Sequence, residues 1–229
     1  MTYRELCDAL RAGGADAPEF EAACLLEDLC RADRAALFGE PDMDYASDAL
    51  ASALRRRLAH EPLQYILGTW QFYRQTYRVS PDCLIPRADT ELLVGLAVEM
   101  LPRSAYFADL CTGSGCIAIS TLAERADIRA LALDLSKGAL ALAQENAVRN
   151  GVADRVEFRR ADLLTLAPQS LGRFDAILSN PPYIRSDVIP GLSDEVRHEP
   201  RMALDGGADG LLFYRALLRL AGECLNETG

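Results

Sequence analysis

The chain has 229 residues, half of them apolar, and a net charge of −10. That length suits one medium domain, or one domain with a small companion, and the apolar half can bury a core. The acidic balance counts against a nucleic-acid face, because neutralising phosphates dominates that kind of affinity, so no direct nucleic-acid binding is expected.

The N-terminal stretch, "MTYRELCDAL", lacks the basic-then-apolar pattern of a secretory leader. No apolar run reaches the roughly 18 residues that would cross a membrane, so the expected compartment is the cytoplasm. Residues 1–68 predict a small helical domain. "YRELCDALRAG" places Leu6 and Leu10 four apart and stops at Gly13-Gly14. "APEFEAACLLEDLCRA" puts Phe20, Cys24 and Leu25 on one face, with Pro18 near its start. "SDALASALRRRLAH" repeats the spacing with Leu50, Leu54 and Leu58. Residues 69–90 predict a hairpin and a linker. Aromatic and β-branched residues cluster in "TWQFYRQTYRV", and "PDCLIPRADTE" then leads into the helix "TELLVGLAVEML".

Residues 91–229 predict an α/β domain. "AYFADL", "IRALALD", "RVEFRRAD" and "FDAILSN" read as strands, with helices at "GCIAISTLAER" and "SKGALALAQENAVRNG" between them. Such doubly wound sheets bind ligands beyond the carboxyl ends of their strands, so the informative residues should follow each strand. The seven cysteines form no C-x-x-C pair, and His60 and His198 are the only imidazoles. Reduced, mostly buried thiols and no metal site are expected.

"DLCTGSGCIA" (109–118) follows the first of these strands. Gly113 and Gly115 permit a tight turn and close backbone approach, ahead of a helix N-terminus. Gly113-x-Gly115-x-x-Ala118, with Asp134 about 20 residues on, also satisfies a loose dinucleotide fingerprint. Charge separates the two cofactors. Asp109 at the strand end would repel a pyrophosphate and attract a cation, which favours S-adenosylmethionine over a nicotinamide dinucleotide. Asp134 can accept from ribose hydroxyls in either case. Asp162-Leu163 can hold adenine, or Asp162 can cap a helix at "LLTLA".

"SNPPYI" (179–184) follows the last strand. Prolines lack an N–H and stiffen the chain, so Pro181 and Pro182 leave a rim rich in carbonyl acceptors and poor in donors. Asn180 adds a side-chain oxygen and Tyr183 an electron-rich ring face. This rim suits a planar group bearing an NH₂ whose nitrogen gains positive charge as it is alkylated. The alternative is a rigid turn between strand and helix.

Taken together, "PLQYILG" (62–68), "LIPRADTE" (84–91), "DLCTGSGCIAI" (109–119), "SNPPYI" (179–184) and "EPRMALDGGADGL" (199–211) carry a resemblance. The chain resembles the PrmC/HemK family, which methylates a glutamine side-chain amide in the Gly-Gly-Gln motif of peptide chain release factors. The resemblance implies a Rossmann-like class I methyltransferase sheet over 91–229, S-adenosylmethionine as cofactor and a release factor as protein partner. It implies that Cys111, Thr112, Gly113, Ser114, Gly115, Asp134 and Leu163 line the cofactor site, beside the Asp109 and Asp162 read from the residues. It places the glutamine amide on Asn180, Pro181, Pro182 and Tyr183, with Asn180 also beside the cofactor. The helical domain would help dock the release factor, and "EPRMALDGG" would brace the substrate loop or simply turn at Gly206-Gly207.

Three departures stand out. Cys111 takes a position where the family commonly has glycine, and Ala88 one where it has proline. Relatives continue into further strands after "GLLFYRALLRLAGECL", whereas this chain stops at "NETG". A sheet of strand order 3-2-1-4, with its C-terminal strands missing and its fourth strand at an open edge, is therefore expected. Two other readings stay open: a methyltransferase for an exocyclic amine of a flipped or single-stranded base, and a non-catalytic remnant that binds S-adenosylmethionine.

Overall fold

The computed structural model describes residues 1–45 and 47–227 of the chain. A reciprocal capping box starts the first helix, α1 (Tyr3–Ala12): the Thr2 hydroxyl accepts from Glu5 N at 3.1 Å and Glu5 Oε2 accepts from Thr2 N at 2.8 Å. Leu6 and Leu10 are buried on its inner face, and the helix ends at Gly13. Helix α2 (Pro18–Cys30) follows, with Pro18 in its first turn. Its buried side differs from the expected one. Ala22, Ala23, Leu25 and Leu26 face inward, whereas Phe20 lies outward with the Arg34 guanidinium 6.0 Å from its ring, and Cys24 is only partly covered. Two alanines carry little hydrophobic signal, yet both are buried.

Helices α3 (Arg34–Gly39), α4 (Asp48–Leu58) and α5 (Leu63–Leu67) complete this part. In α4, Leu50 and Leu54 are buried as spaced, but Leu58 is exposed and Arg57 is buried beside it. Arg57 is tolerated there because Glu21 meets its guanidinium twice, at 2.6 and 3.0 Å.

The second unit opens with a hairpin, β1 (Thr69–Phe72) and β2 (Gln75–Arg78), paired from Thr69↔Arg78 to Phe72↔Gln75. Phe72 and Tyr77 pack edge to face within it, centroids 5.9 Å apart. Helix α6 (Thr90–Met100) leads into the sheet, made of β3 (Tyr106–Leu110), β4 (Arg129–Asp134), β5 (Val156–Arg160) and β6 (Ala176–Ser179). Helix α7 (Cys116–Glu124) joins β3 to β4, and α8 (Lys137–Arg149) joins β4 to β5.

All neighbouring strands of this sheet are parallel, in the order β5-β4-β3-β6. That is the expected 3-2-1-4 order, with β6 at an edge. Alternate residues feed opposite faces. Phe107, Ala130 and Ala132 pack under Val94, Ile117 and Ala147 of α6, α7 and α8. Ala108, Leu131 and Leu133 pack under Ala216 and Leu220 of a later helix on the other face. Both faces of β3 and β4 being covered explains why these two strands read as near-continuous apolar runs.

Among the described residues two α-helices follow β6: α9 (Asp194–Arg197) and α10 (Leu212–Cys224). Contacts divide the chain into two units, Met1–Gly68 with Asp194–His198, and Thr69–Ser193 with Glu199–Gly229. Helix α9 therefore belongs with the N-terminal helices, where Glu195 shares Arg57 with Glu21 and His198 Nε2 lies 3.2 Å from Ala59 O. Among the described residues no helix is long and apolar enough to cross a membrane.

Candidate active site

The loop between β3 and α7 turns on three residues with positive φ: Cys111 at 64°, Gly113 at 56° and Gly115 at 82°. Gly115 begins α7 in the left-handed region, and a Cβ there would meet Ile119 Cδ1 at 2.6 Å. The loop is fastened to β4 by Thr112 N donating to Leu133 O at 2.8 Å. Asp134, at the end of β4, accepts from Gly113 N and from Ser136 N, each at 2.8 Å. Asn146 of α8, fully buried, donates to Ser114 O at 3.0 Å and accepts from Arg78 N at 2.7 Å, so it ties this loop to the hairpin.

Asp109 lies beneath the loop rather than in the open space above it. One carboxylate oxygen accepts from the Thr112 hydroxyl at 2.6 Å and from Ala118 N at 3.2 Å. The other oxygen has no partner among the described residues, and burial pushes the carboxyl up to about 7. Its contact with any ligand therefore runs through the loop it supports, and Thr112, Ser114 and Gly115 also fall outside the cavity lining.

Beyond the strand ends is a cavity of about 400 Å³. Of the residues expected there, Cys111, Gly113, Asp134, Asp162, Leu163, Asn180 and Pro182 line it. Asp162 caps no helix: its side chain accepts from Leu164 N at 2.9 Å and closes a turn, so "LLTLA" does not become helical. Asp82, unremarked in the sequence, also lines the cavity. Its carboxylate fills the space a side chain at Gly138 would need, 2.5 Å from the position of a Cβ. Asp205 is a fourth lining carboxylate, and no Lys, Arg or His is among the described lining residues.

On the other side of Asn180 is an open cleft of about 520 Å³, bounded by Arg87, Asp89, Thr90, Leu93, Ser179 and Tyr183. Asn180 lines both spaces. Its Nδ2 donates to Thr90 Oγ1 at 3.1 Å. The linker side of the cleft is anchored by Glu199, which is buried, accepts from Ile85 N at 3.0 Å and pairs with the Arg87 guanidinium. The "EPRMALDGG" segment braces the loop after Pro182: Ile184 N donates to Leu204 O at 2.9 Å, and Gly206 N donates to Ile184 O at 2.8 Å. Pro181 and Pro182 are buried and Tyr183 is exposed at the rim.

Residues 2–68 match the PrmC N-terminal domain, and residues 88–204 match the methyltransferase small domain. The release factor glutamine methyltransferase of Moorella thermoacetica is 42% identical over 238 aligned positions, covering 100% of this chain and 83% of that protein. The chain belongs to the release factor glutamine methyltransferase family. The enzymes of the same name from Geobacter sulfurreducens and Nitratidesulfovibrio vulgaris are 41% and 43% identical, covering 94% and 96% of this chain and 76% of each relative. Among solved structures, the catalytic domain of hMettl16, in complex with a MAT2A 3′UTR hairpin, superposes with a TM-score of 0.56 at 15% identity, covering 78% of this chain and 65% of that one. That likeness carries the fold alone.

The cofactor this family implies is S-adenosylmethionine, and the cavity fits it. A ligand bearing a sulfonium and an ammonium suits a wall with Asp82, Asp134 and Asp162 and no Lys, Arg or His among its described residues, the fourth aspartate, Asp205, being paired with Arg201 at 3.0 Å, whereas a pyrophosphate would be repelled. Asp134 is a lining carboxylate that could accept from ribose hydroxyls, and Leu135, Leu163 and Leu164 are apolar lining residues against which a flat base could lie.

Proposed function

We propose that the chain transfers a methyl group from S-adenosylmethionine to the side-chain amide nitrogen of the glutamine in the Gly-Gly-Gln motif of peptide chain release factors. The observation that carries this reading is the position of Asn180. It stands between a cavity walled by carboxylates and a cleft open to solvent, and so can reach a cofactor and a substrate together.

S-adenosylmethionine, when bound, supplies an electrophilic methyl group on a positively charged sulfur. The chain's own residues do the rest. An amide nitrogen is a weak nucleophile because its lone pair is delocalised, so the first task is alignment. Asn180 Oδ1 and the Pro181 carbonyl accept the two amide N–H bonds and turn the nitrogen toward the cavity. They hold it more tightly as positive charge grows on that nitrogen, which lowers the barrier rather than the ground state. The face of Tyr183 adds attraction for the same charge. Pro181 and Pro182 offer no N–H that would oppose it. The surplus proton is released to water, and no histidine is among the described residues lining either space.

Residues 1–68 are assigned to docking the body of the release factor. Phe38 of this part is exposed, with its ring edge-on to Tyr3. The test is transfer of labelled methyl from S-adenosylmethionine to purified release factor. Label should enter the wild-type factor and be absent when the motif glutamine is replaced by alanine. Label persisting in the alanine variant would refute the assignment.

A further inference from the structure

We propose that Thr90 is a positioning residue for this reaction, which holds the carboxamide of Asn180 with its donor end inward and its acceptor end toward the substrate. The inference rests on the glutamine reading above.

The two ends of an asparagine carboxamide are nearly equal in size but opposite in chemistry. If the oxygen faces the reacting amide, it accepts an N–H whose proton becomes more acidic as the nitrogen is alkylated. If the NH₂ faces it, two donors confront a nitrogen that is turning positive. Shape alone does not select the productive orientation, and a threonine hydroxyl, which can donate or accept, favours it by accepting from Nδ2 as it does here. Asn180 Nδ2 donates to Thr90 Oγ1 at 3.1 Å, and no hydrogen bond to Asn180 Oδ1 occurs among the described residues. The oxygen is thus left for the cleft that both residues line.

Thr90 is well placed to hold this geometry. It is buried, 8% exposed, at the first position of α6. Its backbone N donates to Arg87 O at 3.0 Å, and the segment before it is clamped by the buried carboxylate of Glu199 through Ile85 N and Arg87. The hydroxyl therefore rides on a fixed backbone at the mouth of a helix, 90 residues from the asparagine it orients. A support so fixed is what a site needs when a small misplacement costs rate.

The experiment measures single-turnover methyl transfer to release factor, its KM, S-adenosylmethionine affinity and the melting temperature for Thr90→Val, Thr90→Ser, Asn180→Ala and the double variant Thr90→Val/Asn180→Ala. Thr90→Val should lose about 10- to 100-fold in rate. Its KM and cofactor affinity should stay within about twofold of wild type, as expected for an interaction expressed in the transition state. Thr90→Ser, which keeps the hydroxyl, should restore most of the rate. In the Asn180→Ala background Thr90→Val should cost nothing further, because the coupling is lost with the asparagine. A fully active Thr90→Val, or one that loses the same factor with and without Asn180, overturns the proposal. So does a loss that Thr90→Ser does not repair and that follows the melting temperature. If wild type itself labels no glutamine, the substrate reading fails and this inference with it; if wild type labels it and Thr90→Val does so equally well, only this inference fails.

Discussion

Gly206 lies against the backbone of Tyr183 so closely that a Cβ on it would come within 2.7 Å of Tyr183 Cα. The loop that presents the tyrosine is thereby seated on a surface with no side chain. Gly206→Ala must push Tyr183 outward or open the backbone bond from Gly206 N to Ile184 O. A loss of about 1–3 kcal/mol is expected, together with a drop in methyl transfer larger than the drop in stability explains. Gly95, inside α6, has open space where its Cβ would go, and Gly95→Ala should add about 0.5–1 kcal/mol. Urea denaturation of the two variants checks both signs.

In the N-terminal unit, Arg57 and Glu21 form a pair whose side chains are 6% and 10% exposed. Arg57→Ala strands the carboxylate of Glu21 and should cost about 3–5 kcal/mol, whereas Arg57→Met with Glu21→Leu should recover most of it. Glu195, which also meets Arg57, is half exposed and can return to water. Denaturant midpoints of the single and double variants decide.

Asp109 makes stability depend on pH. Burial raises its folded-state value to about 7 from an ordinary 3.8. The folded protein therefore keeps a proton that the unfolded chain has released, and stability falls as pH rises from about 4 to about 7, then levels. Asp134, also raised by burial, acts in the same direction. Asp109→Asn keeps an acceptor for Thr112 and Ala118 and has no proton to lose. Relative to wild type, its stability should gain between pH 5 and pH 8, as read from urea midpoints at the two values; an unchanged difference would exclude Asp109 as the titrating group.

Much of the fold is legible in the sequence. The loop at Gly113, the carboxylate ending β4 and the "NPPY" motif follow from apolar runs and turn residues close together in sequence, whereas the strand order is what the family resemblance implies. What stayed hidden involves partners far apart. Nothing near Thr90 announces that Asn180 needs its hydroxyl, and nothing near Gly138 announces that Asp82 fills the space it leaves. Glu199 and Asn146 read as ordinary polar residues, yet both are buried because distant backbone groups supply their partners. The inner face of α2 differs from its sequence pattern because Phe20 outweighs Ala22 and Ala23 in that pattern.

Cys111 stands with φ at 64°, a conformation that costs an ordinary side chain and costs a β-branched one more. Cys111→Val should therefore lower stability by about 1–3 kcal/mol and weaken cofactor binding, because the loop holding Gly113 would shift. Cys111→Gly should retain cofactor affinity. Calorimetric titration with S-adenosylmethionine, alongside thermal melts, separates the two effects.

On the proposed reading, Asn180 acts on the nitrogen as it turns cationic and contributes little to holding the cofactor. The direct measurement compares Asn180→Ala with wild type in two quantities, the rate of methyl transfer to release factor and the dissociation constant for S-adenosylmethionine. A rate reduced about 100-fold or more, with a dissociation constant changed less than about threefold, is the predicted result. Equal losses in both, or an unchanged rate, would contradict it.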